Sequence, residues 1–437
     1  IPPADVASGD YKNYILVPSA HSSADANLKL TVTSRDSALV GSTIATDEAS
    51  KELDLTVKVT PVAEKIGMDT DGDGTTDLTM TTGKVYSGET QEDQAFDLNS
   101  EGFNLKAGWA NQDADGSEKT YALLSPEIWD PKANAGAGGF VTAAGSKFTW
   151  TGGSGTFNGT TGVKVPVEAL DSVKFTAPPN AAGAFRIKVE AHTVDTDPDG
   201  GAVDKATSGE AWLKNVLVKP LADEVTLSAT QAKGQEDTPI DLTGKIVPTS
   251  QDPNETFRVT LSDIPAGAKI VYNGVEQTLT GGSLTIENFD RTKQLSIQPP
   301  ENSNEDITLK VTAVSVDTIT VPKFDALGNP TGQSETFTHV NPVAKELDLH
   351  IDVKGVADAA TLVAVPLATT EEAAEANGGK IALKDAFQTA ALTDADRSET
   401  LSLVVSGLAD GFDMTGAEFL GGTGTGREWL IAKDSLD

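Results

Sequence analysis

Short runs in which apolar and polar residues alternate recur along this chain, and a period of two is the signature of a half-buried β-strand. Leu53, Leu55, Val57 and Val59 share one face of such a run, and Leu347, Leu349, Ile351 and Val353 share one face of another. Gly, Pro, Asn and Asp cluster between the runs at fairly regular spacing, which predicts an all-β sandwich fold. Helix signals are confined to residues 369–377, with Thr369 or Thr370 as the cap, and 382–391, each enough for a turn or two.

The alternating runs belong to a divergent internal repeat, a pattern to be sought before any other. Val59-Thr-Pro-Val-Ala-Glu64 matches Val218-Lys-Pro-Leu-Ala-Asp223 and Val353-Lys-Gly-Val-Ala-Asp358, each directly after a strand-like run. Inside the repeat, Asp115-Gly-Ser-Glu118 aligns with Asp252-Pro-Asn-Glu255 and Asp396-Arg-Ser-Glu399, with a serine seven residues beyond each glutamate at Ser125, Ser262 and Ser406. An acidic pair opens the unit at Glu92-Asp93 and Glu236-Asp237, with Glu375 as a weaker counterpart. A late strand closes it: Leu28–Val32, Phe185–Val189 and Ile307–Val311, running on to Asp36, Asp195 and Asp317. The order of landmarks predicts complete Ig-like modules at 61–221 and 222–356. Residues 1–60 then form the C-terminal part of one module and 357–437 the N-terminal part of another, so the expectation is a stretch of a longer array. The start at Ile1, with no leader in view, agrees with that expectation.

Charge narrows the partners. The 437 residues include 65 acidic and 33 basic side chains, a net charge of −32. Nucleic acid and anionic membrane are disfavoured, because the electrostatic term that drives such binding would be repulsive. Cations are favoured instead. The chain has no cysteine, so an extracellular protein of this kind needs a staple other than disulfides, and a bound metal supplies one. No run of about 18 apolar residues is present to span a bilayer.

The carboxylates are arranged as hard-cation ligands would be. In Asp69-Thr-Asp71-Gly-Asp73-Gly-Thr75-Thr-Asp77, alternate aspartates converge on one point, and the Thr75 carbonyl and Asp77 extend the oxygen set toward the six to eight that calcium prefers. Met80 stands where an EF-hand has its bidentate glutamate, so the other reading is a solvated acidic turn. Asp113, Asp115 and Glu118 form a second candidate set with Glu92 or Asp93 and with Asp195. Their counterparts are Glu236, Asp237, Asp252, Glu255 and Asp317 in the next unit, and Asp394, Asp396 and Glu399 in the last. Capping and turn hydrogen bonds are the competing explanation. Asp195-Thr-Asp197-Pro-Asp199 is a third crowded loop.

A Gly-rich insert at 126–162 carries Trp129 and Trp150, which would stack on a glycan or grip a peptide, or else would cover a sheet face. Catalysis is not expected. His21, His192, His339 and His350 are scattered, no nucleophile elbow, zinc-protease or phosphate-loop motif occurs, and the acids recur between units rather than forming one distinct pair.

Taken together, Gly234-Gln-Glu-Asp-Thr-Pro-Ile-Asp-Leu242, Asp113-Ala-Asp-Gly-Ser-Glu118 and Leu261-Ser-Asp-Ile-Pro-Ala-Gly267 resemble the Ig-like or cadherin-like repeats of giant type I-secreted RTX adhesins. The resemblance spans essentially the whole chain. It implies tandem Greek-key β-sandwiches arranged end to end, stabilised by Ca2+ and acting as a rigid extender at a Gram-negative cell surface in attachment and biofilm formation. Two departures stand against it. Gly152-Gly-Ser-Gly155 and Gly421-Gly-Thr-Gly424 lack the aspartate of the RTX nonapeptide, and Arg397 replaces a glycine of the acidic segment. A glycan- or peptide-binding module of the same kind of adhesin, and a surface-layer or other envelope protein, are the alternative readings.

Overall fold

The computed structural model describes residues 2–63, 88–99, 116–325, 328–383, 386–391 and 399–432. The chain is all-β and divides into two compact units, Ile1–Leu221 with Thr318–His339, and Ala222–Asp317 with Val340–Asp437. Each contains two antiparallel-dominated sheets closed over a hydrophobic core.

In the first unit the strands Glu118–Asp130, Gly183–Thr196 and Val203–Lys219 are adjacent in one sheet, and Phe96–Asp97, Lys174–Thr176, Lys147–Trp150 and Gly153–Thr156 form the other. Alternation decides which residues enter the core. Along Glu118–Asp130, residues Ala122 and Leu124 are buried while Tyr121 and Leu123 are only half-buried. Phe148 and Phe175 from one sheet and Phe185 from the other are fully buried, with successive ring centroids 5.5 Å apart. Each buried phenylalanine contributes about 1.5–3 kcal/mol relative to leaving it exposed.

In the second unit the sheet order is Ala232–Gln235, Lys345–Lys354, Ile307–Phe324, Thr256–Ser262 and Leu284–Ile286. The facing sheet is Ile240–Asp241, Leu295–Gln298, Lys269–Tyr272 and Val275–Glu276. Its core is mainly aliphatic: Val259, Leu261, Ile270, Ile297, Leu309 and Val311 are fully buried. The first of these sheets receives its last strand in parallel, Ala232 opposite Ile351. The first unit does the same, with Gly88 opposite Val216.

The remaining pieces are smaller. Ala26–Val40 and Thr43–Val57 form a two-stranded hairpin, paired from Ala26–Val57 to Val40–Thr43. Beyond residue 357, Thr361–Ala364 pairs with Phe387–Ala391, and Glu428–Ile431 lies between Leu403–Ser406 and Glu418–Gly421. Trp429 is its fully buried centre.

Three sequence expectations change. Residues 371–376 are helical, with the Thr370 hydroxyl accepting the Ala373 N–H at 3.1 Å, but 387–391 are a strand, because Thr361–Ala364 offers an edge to pair with. Glu375 lies on that helix and so does not correspond to Glu236. The late strand of the first partial module is displaced by two residues. Ala26 pairs with Val57 as Ile307 pairs with Ile351, so Leu28–Val32 corresponds to Leu309–Ala313. A shift of two leaves every side chain on the same face, so alternation alone cannot detect it.

Candidate metal centres at the acidic strand ends

In the first unit, Asp195 stands where three strands finish. It is directly opposite Glu118 on one neighbour and Asp204 on the other. Glu118 and Asp195 are both buried. Asp195 Oδ1 accepts the Ser117 hydroxyl at 2.6 Å, and its Oδ2 accepts the Val62 N–H at 3.1 Å. Asp204 Oδ2 accepts the Ala63 N–H at 2.9 Å, and Asp25 Oδ1 accepts the Val59 N–H at 3.0 Å. Three aspartates therefore hold the amides of one boundary segment, around a buried Pro61 that has no N–H to satisfy. Asp197 and Asp199 continue the cluster. Buried Asp197 accepts the Asp199 N–H at 2.9 Å, and Asp199 accepts the Asp25 N–H at 2.6 Å.

The acidic pairs divide their work. Glu92 is buried and accepts the Leu221 N–H at 3.1 Å, whereas Asp93 is exposed with φ 57°. Glu236 is buried and accepts the Val356 N–H at 2.5 Å, whereas Asp237 is exposed with φ 56° and accepts the Asn302 N–H at 2.9 Å. Leu221 and Val356 occupy the same place in the repeat. The glutamate holds the downstream boundary, and the aspartate makes the left-handed turn that aspartate tolerates better than most residues.

The Asp-x-x-Glu landmark meets the boundary from the other side. Glu255 Oε1 accepts the Asp223 N–H, and Glu399 Oε1 accepts the equivalent Asp358 N–H. Asp306 accepts the Val353 N–H at 2.9 Å, repeating the bond of Asp25 to Val59. Gly355 replaces the proline here, and a Cβ on it would lie 2.8 Å from the Asn304 amide nitrogen.

Two features go beyond capping. Carboxylate oxygens of Asp252 and Asp317, both buried, lie within 4.8 Å of each other. Glu255 Oε2 is buried without a hydrogen-bond partner among the described residues, and burial, aided by the charges of Asp223 and Asp252, raises its pKa. Adjacent buried carboxylates cannot all stay ionised without a compensating charge. The donors are all oxygen, the hard set that suits calcium, so these residues fit such an ion. Asp252 also accepts the Asn254 N–H at 2.8 Å, which fixes its own turn.

The positions Asp69, Asp71, Asp73, Thr75, Asp77, Asp113, Asp115, Asp394 and Asp396 lie outside the described residues. Asp25, Asp204 and Asp306 were missed by sequence reasoning, although Asp25 and Asp306 both stand immediately before a late strand once the two-residue offset is known. Trp129 lies over Gly138 and packs edge-on against Phe140 and Phe324, with centroids 5.4 and 6.0 Å away. Trp150 covers Gly153 and is partly buried against the core. His192 stacks on Tyr121 at 5.6 Å, and His350 is exposed beside the Thr308 hydroxyl at 3.0 Å.

No family model and no curated protein matches the chain. Among solved structures, domains 1–6 of the surface layer protein SbsC align over 88% of this chain at 10% identity and a TM-score of 0.18. This chain spans about half of that structure, 50%. The titin domains z1z2, in complex with telethonin, align over 55% of this chain and 90% of theirs at 13% identity and a TM-score of 0.13. Likenesses this distant carry no argument about function, and the fold assignment rests on the strands themselves. No helix among the described residues is long and apolar enough to cross a membrane.

Proposed function

We propose that this chain is a calcium-stabilised spacer of a large secreted bacterial surface protein, serving attachment by reach and rigidity rather than by catalysis. One observation carries the reading. Boundary segments are held by carboxylates at strand ends, in the first unit at Val59, Val62 and Ala63 and in the second at Val353, Val356 and Asp358. Beside them sit acids that gain from a cation, Asp252, Asp317 and Glu255. Glu118, Asp195 and Asp197 are likewise buried at the strand ends of the first unit. An ion held there would supply positive charge. The chain's own groups orient the oxygens, through the Ser117 hydroxyl on Asp195 and the Asn254 amide on Asp252, and fix the course of the boundary. A ligand bound only by the folded state stabilises it by mass action. The resemblance to RTX-adhesin repeats supports an extracellular setting, and the packing of Trp129 against Phe140 and Phe324 and of Trp150 against the core favours a spacer over a glycan receptor.

Thermal melting with and without a chelator tests the proposal. The melting temperature should fall by more than about 5 °C on chelation, the shift expected for a few kcal/mol in units of this size. It should return with calcium more fully than with magnesium. Coincident curves under all three conditions would remove the mechanism.

A further inference from the structure

The strand Ile307–Phe324 is longer than the sheet it belongs to. Its pairing with Lys345–Lys354 ends at Ala313 and its pairing with Thr256–Ser262 ends at Val316. Beyond Asp317 the strand beside it among the described residues is Pro330–Val340, so the two form a ribbon, and a two-stranded ribbon is marginal by itself. Its faces differ. Thr318, Thr320, Thr336 and Thr338 are exposed on one, their hydroxyls meeting across the ribbon at 3.1 Å for Thr318 and Thr338 and 3.0 Å for Thr320 and Thr336. By alternation the other face carries Ile319, Val321 and Phe337. Val321 is only 8% exposed, and Ile319 and Phe337 are half-buried.

Residues 318–339 lie inside the sequence repeat 222–356, yet they belong to the first compact unit. There Phe324 meets Trp129 edge-on at 6.0 Å and stacks on Phe140 at 5.8 Å. Lys219 Nζ lies 5.8 Å from the centre of the Phe337 ring, and a Cβ on Gly328 would come within 2.6 Å of Lys214 Cδ. The receiving surface is braced from within the unit. The Arg186 guanidinium lies 4.2 Å from the ring centres of both Phe140 and Trp212 and pairs with Glu127 at 2.5 Å.

We infer that the aromatic outer face of the first unit is a docking surface whose occupant is the ribbon Thr318–His339, a piece of the following repeat that folds with the first unit. The amphipathic ribbon gains a second layer that it lacks in its own repeat, and Trp129 and Phe140 lose their exposure to water. Neighbouring repeats are then linked in stability through aromatic packing. This link is separate from the calcium reading, since no carboxylate cluster takes part in it.

Hydrogen exchange followed by mass spectrometry on the full chain tests the inference. Trp129→Ala and Phe324→Ala should each speed exchange in the ribbon by about tenfold or more, while Leu295–Gln298 in the second unit keeps its protection. Phe175→Ala, in the core of the first unit and away from the ribbon, should speed exchange of the ribbon together with that of Gly183–Thr196 and again spare Leu295–Gln298. The ratios should be the same in calcium and in chelator below the melting temperature, so the outcome does not depend on whether an ion binds. Ribbon exchange indifferent to Trp129→Ala would overturn the inference. So would a ribbon that stays protected when Phe175→Ala opens Gly183–Thr196, or one that loses protection only when Leu295–Gln298 does.

Discussion

Glu255 is the residue at which charge, burial and pH meet most directly. Its folded-state pKa is raised above the ordinary 4.5, burial being the largest cause. A raised carboxyl contributes stability that is whole below the unfolded pKa and lost as pH rises through the folded value. Asp241, Asp290 and Asp352 are held below their ordinary 3.8, by hydrogen bonds led by Thr243, Thr292 and Lys233. Their contributions are lost only as pH falls through values lower still, so they are silent above pH 5. In chelator, the melting temperature of the second unit should therefore drift downward as pH rises above the ordinary carboxyl value of 4.5. With calcium the slope should reverse, because protons compete with the ion for the same oxygens. Scanning calorimetry at several pH values reads both slopes. Glu255→Gln should remove the drift. It should leave the calcium-free melting temperature unchanged or a few degrees higher, on the scale of about 1 kcal/mol, and shrink the gain on adding calcium. The sequence identified Glu255 as a ligand candidate, but nothing in it could separate the capping oxygen from the orphaned one, because that division depends on which backbone amide arrives from a distant boundary.

At the scale of elements, core packing sets the sharpest expectations. Phe175 contacts Phe148 beside it in its own sheet and Phe185 on the facing sheet, so Phe175→Ala should destabilise the first unit by about 3–5 kcal/mol in urea titration. Gly234 is constrained differently. A Cβ there would lie 2.3 Å from Ile240 Cγ1, so Gly234→Ala should cost about 1–3 kcal/mol by overpacking. Among the described residues nearly all of the hairpin 26–57 is exposed, and a two-stranded hairpin is marginal in isolation. Its amides should exchange with solvent far faster than those of Gly183–Thr196, measured by hydrogen exchange on a dilute sample. Strand identity was legible in the two large units from alternation and turn residues. Register was not, since a slip of two preserves the pattern at Leu28 as well as at Leu309. The strand at 387–391 was also hidden, because short alanine-rich runs suit a helix until an edge is available to them.

For the whole molecule, the all-β architecture was written in the repeat, whereas the acids that clasp each boundary were only half visible. Sequence shows that carboxylates recur and omits which amide each one receives. One topological detail bears on how such a spacer would behave when pulled. In each unit an early strand lies parallel to the last one, Gly88–Gln91 beside Val216–Lys219 and Ala232–Gln235 beside Ile351–Lys354. Tension on the chain ends drags two parallel neighbours in opposite directions along their own axes. The cross-strand bonds are then loaded together in shear instead of breaking one after another like a zip, so each sandwich resists stretching more than its equilibrium stability alone would suggest.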